Sequence, residues 1–313
     1  MSSFVDSLAK NAQAVGITPG STSYFSESSD TLDPRLFEGH FLRSWVRKGV
    51  LDLLFEFLAR RYSESHRWTS AWIAGSGVSY QWAAAREPGD LDCLVGVDYA
   101  TFRRLNSDYA GLSDLEISQM INEGFNEEIM PHTRNWNGYE LTFYVNPATD
   151  IRDINPYAAY DLIHDSWTVE PEVDSSPPYS RMWDEAARRD FEQGAEIIKR
   201  YGSALDQVRR ASNPAHRINA ETQLNHAVEQ ASALYEDIHG GRKVAFSLTG
   251  GGYADFHNYR WQAGKRSGVV HALRAIHDFR EDSQKSFDAQ TYGVELPSTS
   301  TLVRRAATRR TVQ

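Results

Sequence analysis

AWIAGSGVSYQWAAAREPGDLDCLVGVD, residues 71–98, is the stretch whose reading decides the fold. Residues 69–74, short, apolar and aromatic and ending at glycine, suit a buried strand. Gly75-Ser76-Gly77 reads as a turn, and SGVSYQWAAA can open a short helix with Ser76 near its N-terminus. Pro88-Gly89 is a turn signal. A second strand follows over Asp90–Val97, where Leu91, Cys93 and Val95 alternate with Asp90 and Asp92. Side chains two apart on a strand share a face, so the spacing sets both aspartates on one side and the apolar residues on the other.

Two neighbouring carboxylates repel, and burying them is costly unless a cation lies between them. Their oxygens are hard ligands suited to Mg²⁺ or Mn²⁺, with substrate phosphates as further ligands. A glycine-serine turn that leads into a helix offers free backbone N–H groups and the positive end of a helix dipole, both favourable to phosphate. A third carboxylate would complete a two-metal site, in which cations about 3.5–4 Å apart activate an attacking hydroxyl and stabilise the leaving oxygen. The candidate is Glu140, in YELTFYVNP after the turn dipeptide Asn137-Gly138. There Leu141, Phe143 and Val145 point one way and Glu140, Thr142 and Tyr144 the other. Its expected role is metal ligand and base for an acceptor hydroxyl. Asp150 and Asp153 are rivals, but they lie beyond Pro147, where the strand should have ended. Taken singly, each of these signals is a common turn, a solvated strand end or an exposed strand residue; the pairing on consecutive strands gives them weight.

The rest of the chain frames this stretch. Its 313 residues suffice for one large or two ordinary domains. The formal net charge of −9 argues against a broad nucleic-acid footprint. The single cysteine, Cys93, permits no intramolecular disulfide, in keeping with a reducing compartment. There is no signal-like N-terminus and no window near the length of a membrane span, so the expectation is a soluble cytoplasmic protein with no membrane partner. From Arg35 the pattern reads as helical, with Phe37, Phe41, Trp45, Leu54 and Leu58 at three- and four-residue multiples. Two more helical stretches are expected near Tyr99–Asn106 and Ser113–Ile129, the second opened by a capping box of Ser113 and Glu116. Residues 168–180, with three prolines, read as a linker. Beyond it, apolar stripes through Trp183–Val208, Leu224–Ile238 and Val269–Ile276 predict helices, and the sequence from about Ser286 reads as a disordered tail. The organisation is an α+β protein: a mixed sheet flanked by helices over residues 1–167 with a helical lead-in, a helical domain over 181–285, and a tail over 286–313.

Gly75-Ser76, the thirteen residues 77–89, and then Asp90-Leu91-Asp92-Cys93 resemble the nucleotidyltransferase signature of the DNA polymerase β superfamily: a Gly-Gly or Gly-Ser pair, then Asp-hydrophobic-acid-hydrophobic, with a third acid on a later strand. The wider run is similar to uncharacterised nucleotidyltransferases of actinobacteria and their phages. The resemblance implies a mixed sheet flanked by helices, Mg²⁺, a nucleoside triphosphate such as ATP, and nucleotidyl transfer to a hydroxyl with loss of pyrophosphate. By position it implies that Gly75 and Ser76 grip the triphosphate and that Asp90 and Asp92 hold metals. Glu140 would stand as third acid where many members have Asp. The acceptor it leaves open: RNA, a protein hydroxyl or a small molecule.

The glycine-rich run near residue 250 fails both phosphate-loop patterns, since Tyr259, Arg266 and Asp255 stand where a glycine, a serine or threonine, and a glycine are required. What remains is Arg260, Lys265 and Arg266, expected at a helix start and able to contact triphosphate or acceptor; the alternative is a solvated basic helix end. Tyr80, Trp82, Tyr259 and Trp261 could stack on a base, although such aromatics more often fill a core. His164-Asp165 and His277-Asp278 lack the further ligands of a metal-dependent phosphohydrolase. Two other functions fit the aspartates: a metal-dependent glycosyltransferase, whose Asp-x-Asp chelates a metal on a sugar nucleotide, and a nucleotide- or nucleic-acid-binding module that keeps the fold without the reaction.

Overall fold

The computed structural model describes residues 29–82, 89–146, 149–172 and 180–292. The chain divides into two compact units; the described residues of one run from 29 to 172, and those of the other from 180 to 292.

The first unit is the α/β part. Its start corrects the helical reading from Arg35. Two short strands, β1 (Phe37–Glu38) and β2 (Phe41–Leu42), form an antiparallel hairpin, and the helix α1 begins only at Ser44 and ends at Arg61. Asp33 nucleates the turn ahead of it: its carboxylate accepts from the Arg35 N–H at 2.9 Å, and its carbonyl accepts from Leu36 and Phe37. Phe37 is buried while Phe41 stays 72% exposed. On α1 the buried residues Val46, Val50, Leu54, Phe57 and Leu58 make one stripe, and Arg60 and Arg61 sit at the C-terminal end, where positive charge opposes the helix dipole.

Three strands have the extents that alternation and turns predict: β3 (Thr69–Ala74), β4 (Gly89–Val97) and β5 (Tyr139–Val145). Two short strands went unforeseen, β6 (Ala159–Asp161) and β7 (Ser166–Val169). The sheet order is β5-β4-β3-β6-β7, mixed, with β4 and β5 parallel and the other pairs antiparallel. A parallel pair needs a crossover. Here it runs through α2 (Tyr99–Leu105), α3 (Asp114–Gly124), a π-helical turn (Phe125–Ile129) and α4 (Met130–Thr133). The capping box at Ser113 forms as expected: its side chain accepts from the Glu116 N–H, and its own N–H donates to Glu116 Oε2 at 2.8 Å. Asn137 and Gly138 take φ of 51° and 87°, the left-handed conformations that a tight turn into β5 requires.

The two faces of the sheet differ. Leu91, Cys93 and Val95 of β4 and Leu141, Phe143 and Val145 of β5 join Val50, Leu54, Phe57, Ile117 and Phe125 in one large apolar core. Cys93 is fully buried there, and burial, reinforced by the charge of Asp92, pushes its thiol well above its ordinary pKa. The opposite face carries a smaller cluster of Trp72, Ala74, Leu94, Ile151 and Ala159, and beyond it the face ends in polar side chains.

The second unit is helical: α5 (Arg181–Arg210), α6 (Pro214–Ala245), α7 (Phe256–Ser267) and α8 (Val269–Tyr292). Its core holds Ile197, Val228, Ala231, Leu234, Ile238, Leu273 and Ile276, in line with the predicted stripes. Helix α8 runs past Ser286, where the periodicity fades, to Tyr292. The remainder of the expected tail, 293–313, and most of the expected linker, 173–179, lie outside the described residues, as does the lead-in before Ser29. Among the described residues no helix is long and apolar enough to cross a membrane.

Candidate functional site

The carboxylates are set by strand register. In the parallel pair, Asp90 stands opposite Glu140 and Asp92 opposite Thr142. Adjacent residues in register share a face of the sheet, so Asp90, Asp92, Glu140 and Thr142 occupy neighbouring positions on the face away from the large core. Glu140, fifty residues from Asp90 in the chain, thus reaches the same corner as the two aspartates. Asp90 is exposed, and Asp92 and Glu140 are half-buried. Thr142 Oγ1 donates a hydrogen bond to Asp92 Oδ1 at 2.7 Å, which holds that carboxylate in one orientation.

The glycine-serine turn lies against the same two aspartates. β3 pairs antiparallel with β4, with Ala74 opposite Asp92, so the turn that leaves β3 emerges beside them. Gly75 has φ +93° and ψ −165°, a conformation essentially reserved for glycine. A Cβ on Gly75 would lie 3.4 Å from Asp92 Oδ2, and one on Gly77 would lie 2.4 Å from the Asp90 carbonyl oxygen. Gly77 therefore permits a contact between turn and strand that any side chain would push apart. The Gly75 N–H is committed to the Ala158 carbonyl at 3.1 Å. Among the described residues the N–H groups of Ser76 and Gly77 find no acceptor, as at the start of a helical turn. The expected short helix is a single 3₁₀ turn, Ser76–Val78, tied by the Ser79 N–H and Oγ to the Ser76 carbonyl. Its possible continuation over 83–88 lies outside the described residues.

The donor set consists of hard oxygens, of the kind Mg²⁺ takes. As the side chains stand, no group of three or more His, Cys, Asp and Glu among the described residues is spaced to hold a metal ion. The carboxylates line one corner of the sheet without closing on a common point. Beside Glu140 and Thr142 a cavity of about 410 Å³ opens between β5 and the π-helical turn; Asn126, Met130, Pro131 and Arg134 form its other wall.

The remaining candidates have other surroundings. Asp150 accepts from the Arg152 backbone N–H at 2.9 Å and its guanidinium at 3.1 Å; Asp153 lies in the same 3₁₀ turn. Arg260, Lys265 and Arg266 belong to the helical unit, and their expected place at a helix start is corrected: Arg260 is within α7, and Lys265 and Arg266 are in its last turn. Arg260 is 11% exposed and forms a two-point bridge to Asp190 (2.6 and 2.9 Å) and a third bond to Asp237 (2.8 Å). Tyr80, Tyr259 and Trp261 are buried, and the Trp82 indole N–H donates to the Thr31 carbonyl at 2.7 Å. His164 Nδ1 lies 2.8 Å from Asp161 Oδ2, Asp165 accepts from Tyr160, His277 faces Glu236, and Asp278 faces Arg274. Two features were missed in the sequence: the Thr142–Asp92 bond, which the two-residue step from Glu140 could have suggested, and the cavity, for which the sequence carries no signal.

No protein family, curated protein or solved structure matches the chain.

Proposed function

We propose that the first unit is a metal-dependent nucleotidyltransferase site, which transfers a nucleoside monophosphate from a nucleoside triphosphate to a hydroxyl acceptor. The observation that carries this reading is the β4–β5 register, which sets Glu140 beside Asp90 on the face shared with Asp92, next to a glycine-serine turn. Asp90, Asp92 and Glu140 would hold Mg²⁺, and the metal would supply charge neutralisation on the phosphates. The Ser76 and Gly77 N–H groups would bind triphosphate oxygens. Thr142 would keep the Asp92 carboxylate oriented. The acceptor oxygen attacks the α-phosphorus, the bond to the β-phosphate oxygen breaks, and pyrophosphate leaves. The acceptor proton passes to the Glu140 carboxylate.

Incubation with α-³²P-labelled triphosphates and Mg²⁺ in cell extract, followed by isolation of the labelled product, tests the reading. Label transfer and pyrophosphate release are expected for the native protein and not for Asp92→Asn. Full activity of Asp92→Asn would remove that residue from the mechanism. A second reading, a nucleotide-binding module without turnover, is favoured by the open arrangement of the three carboxylates. It predicts saturable Mg-triphosphate binding with no labelled product. Binding of sugar nucleotides in place of triphosphates would instead favour a glycosyltransferase.

A further inference from the structure

The cavity beside Glu140 has three properties that together point to a ligand. Its volume, about 410 Å³, falls within the range of small-molecule sites. One wall is the π-helical turn Phe125–Ile129 and the residues that follow it. A π-helical turn interrupts regular i→i−4 bonding and recurs at functional sites. This one buries Phe125 and Ile129 in the core while it leaves Asn126 exposed at the cavity. The third property is charge. Arg134 lines the cavity together with Glu140, yet among the described residues its guanidinium forms no hydrogen bond or ion pair. Other arginines of this unit are engaged: Arg35 with Asp33, Arg47 with the Leu162 and Ile163 carbonyls, Arg61 with Glu128, and Arg103 with Asp114.

An arginine beside a carboxylate, in a cavity with Met130, Pro131 and Leu141 as apolar lining, is arranged for a molecule of mixed character. We infer that this cavity is the acceptor pocket, and that it takes a small hydroxyl compound carrying a phosphate or carboxylate, which Arg134 binds. The guanidinium offers a planar fork that fits either anion through two bonds. Bound this way, the anion lies at Arg134, the carbon skeleton lies on Met130 and Pro131, and the hydroxyl lies toward Glu140. The chain's net charge of −9 and the nearby carboxylates repel anions, so Arg134 is the group that makes such a ligand acceptable. The binding site stands on the cavity and the unpaired arginine; its role as acceptor pocket rests on the nucleotidyltransferase reading.

The test uses the full chain, isotope-labelled for amide NMR, with three probes: glycerol 3-phosphate, glycerate and glycerol. Either anion is expected to shift the amides of residues 126–134 and 140–142 saturably, and glycerol at equal concentration is not. The stronger of the two names the source of the anion. Arg134→Ala is expected to weaken the binding roughly tenfold or more, the loss of a charge-assisted bond, and Arg134→Lys to restore part of it. Arg134 is exposed, and the unchanged remainder of each variant's spectrum checks its fold. Absence of shifts at these amides, or equal binding by Arg134→Ala, overturns the inference. A separate titration with Mg-ATP follows the amides of residues 75–77 and 90–92. Anion binding without ATP binding keeps the pocket and sinks the nucleotidyltransferase reading. ATP binding without anion binding does the reverse.

Discussion

Thr142 holds Asp92: the hydroxyl on β5 donates to the carboxylate on β4 across the parallel pair, at 2.7 Å. The bond fixes one oxygen of a half-buried acid beside the turn. Thr142→Val keeps the shape and removes the donor. A hydrogen bond to a charged group contributes about 1.5–3 kcal/mol. Mg-ATP affinity, measured by calorimetry, is expected to fall several-fold in Thr142→Val and to recover in Thr142→Ser. An unaltered affinity in the valine variant would mean that Asp92 needs no orienting partner.

The contact between turn and strand depends on glycine at two positions. Gly77→Ala forces a carbon to within 2.4 Å of the Asp90 carbonyl oxygen, so the turn must lift. Gly75→Ala meets less crowding, but its φ of +93° costs a side chain about 1–3 kcal/mol. Both variants are expected to lower the urea midpoint and to lose triphosphate binding. Gly39, also at positive φ but with open space around it, is the control: alanine there is expected to strain only the small hairpin and leave binding intact.

Asp33 gives the first unit a pH dependence. Burial raises its pKa, but hydrogen bonds from Arg35 and Tyr139 and the Arg35 charge outweigh burial and hold the carboxyl below its ordinary value. A lowered folded-state pKa contributes stability that is present above the unfolded value, about 3.9, and is lost as pH falls through the folded value. Urea melts are expected to show stability falling below about pH 4, and Asp33→Asn should flatten that part of the curve. Tyr139→Phe removes one donor to the buried carboxylate and is expected to cost about 1–3 kcal/mol at neutral pH.

Arg260 is expected to act on stability. Its bridge to Asp190 is mostly shielded from water, with the two side chains 11% and 17% exposed. Removal of one partner leaves the other charge uncompensated, which costs about 3–5 kcal/mol for a fully buried pair and less here. Arg260→Met should lower the melting temperature of the helical unit and leave triphosphate affinity unchanged at temperatures where the variant is folded. Loss of affinity without loss of stability would return Arg260 to the binding residues.

The strands that build the candidate corner could be read because they alternate. Leu91, Cys93 and Val95 against Asp90 and Asp92, and Leu141, Phe143 and Val145 against Glu140 and Thr142, record one apolar and one polar face. β6 could not be read in this way. It has three residues, all buried, because it lies between two strands and is covered on both faces, so no alternation marks it. Phe37, Phe41 and Trp45 misled for the opposite reason: their spacing of four copies a helix, whereas Asp33 and a left-handed Gly39 fold the segment into a hairpin. Arg260 shows a third limit. Its partners are 70 and 23 residues away, and no local pattern announces them.

The parallel pair also dictates when the corner comes into being. Asp92 and Thr142 are separated by fifty residues, and three helices and a π-helical turn must fold between them before β5 can dock on β4. Closure of so long a loop costs entropy before any contact repays it. A nascent or partly unfolded chain can therefore carry β3, the turn and β4 without Glu140 beside Asp90. Asp90 and Glu140 come side by side only once the crossover has closed, so the corner is assembled from segments far apart in the chain.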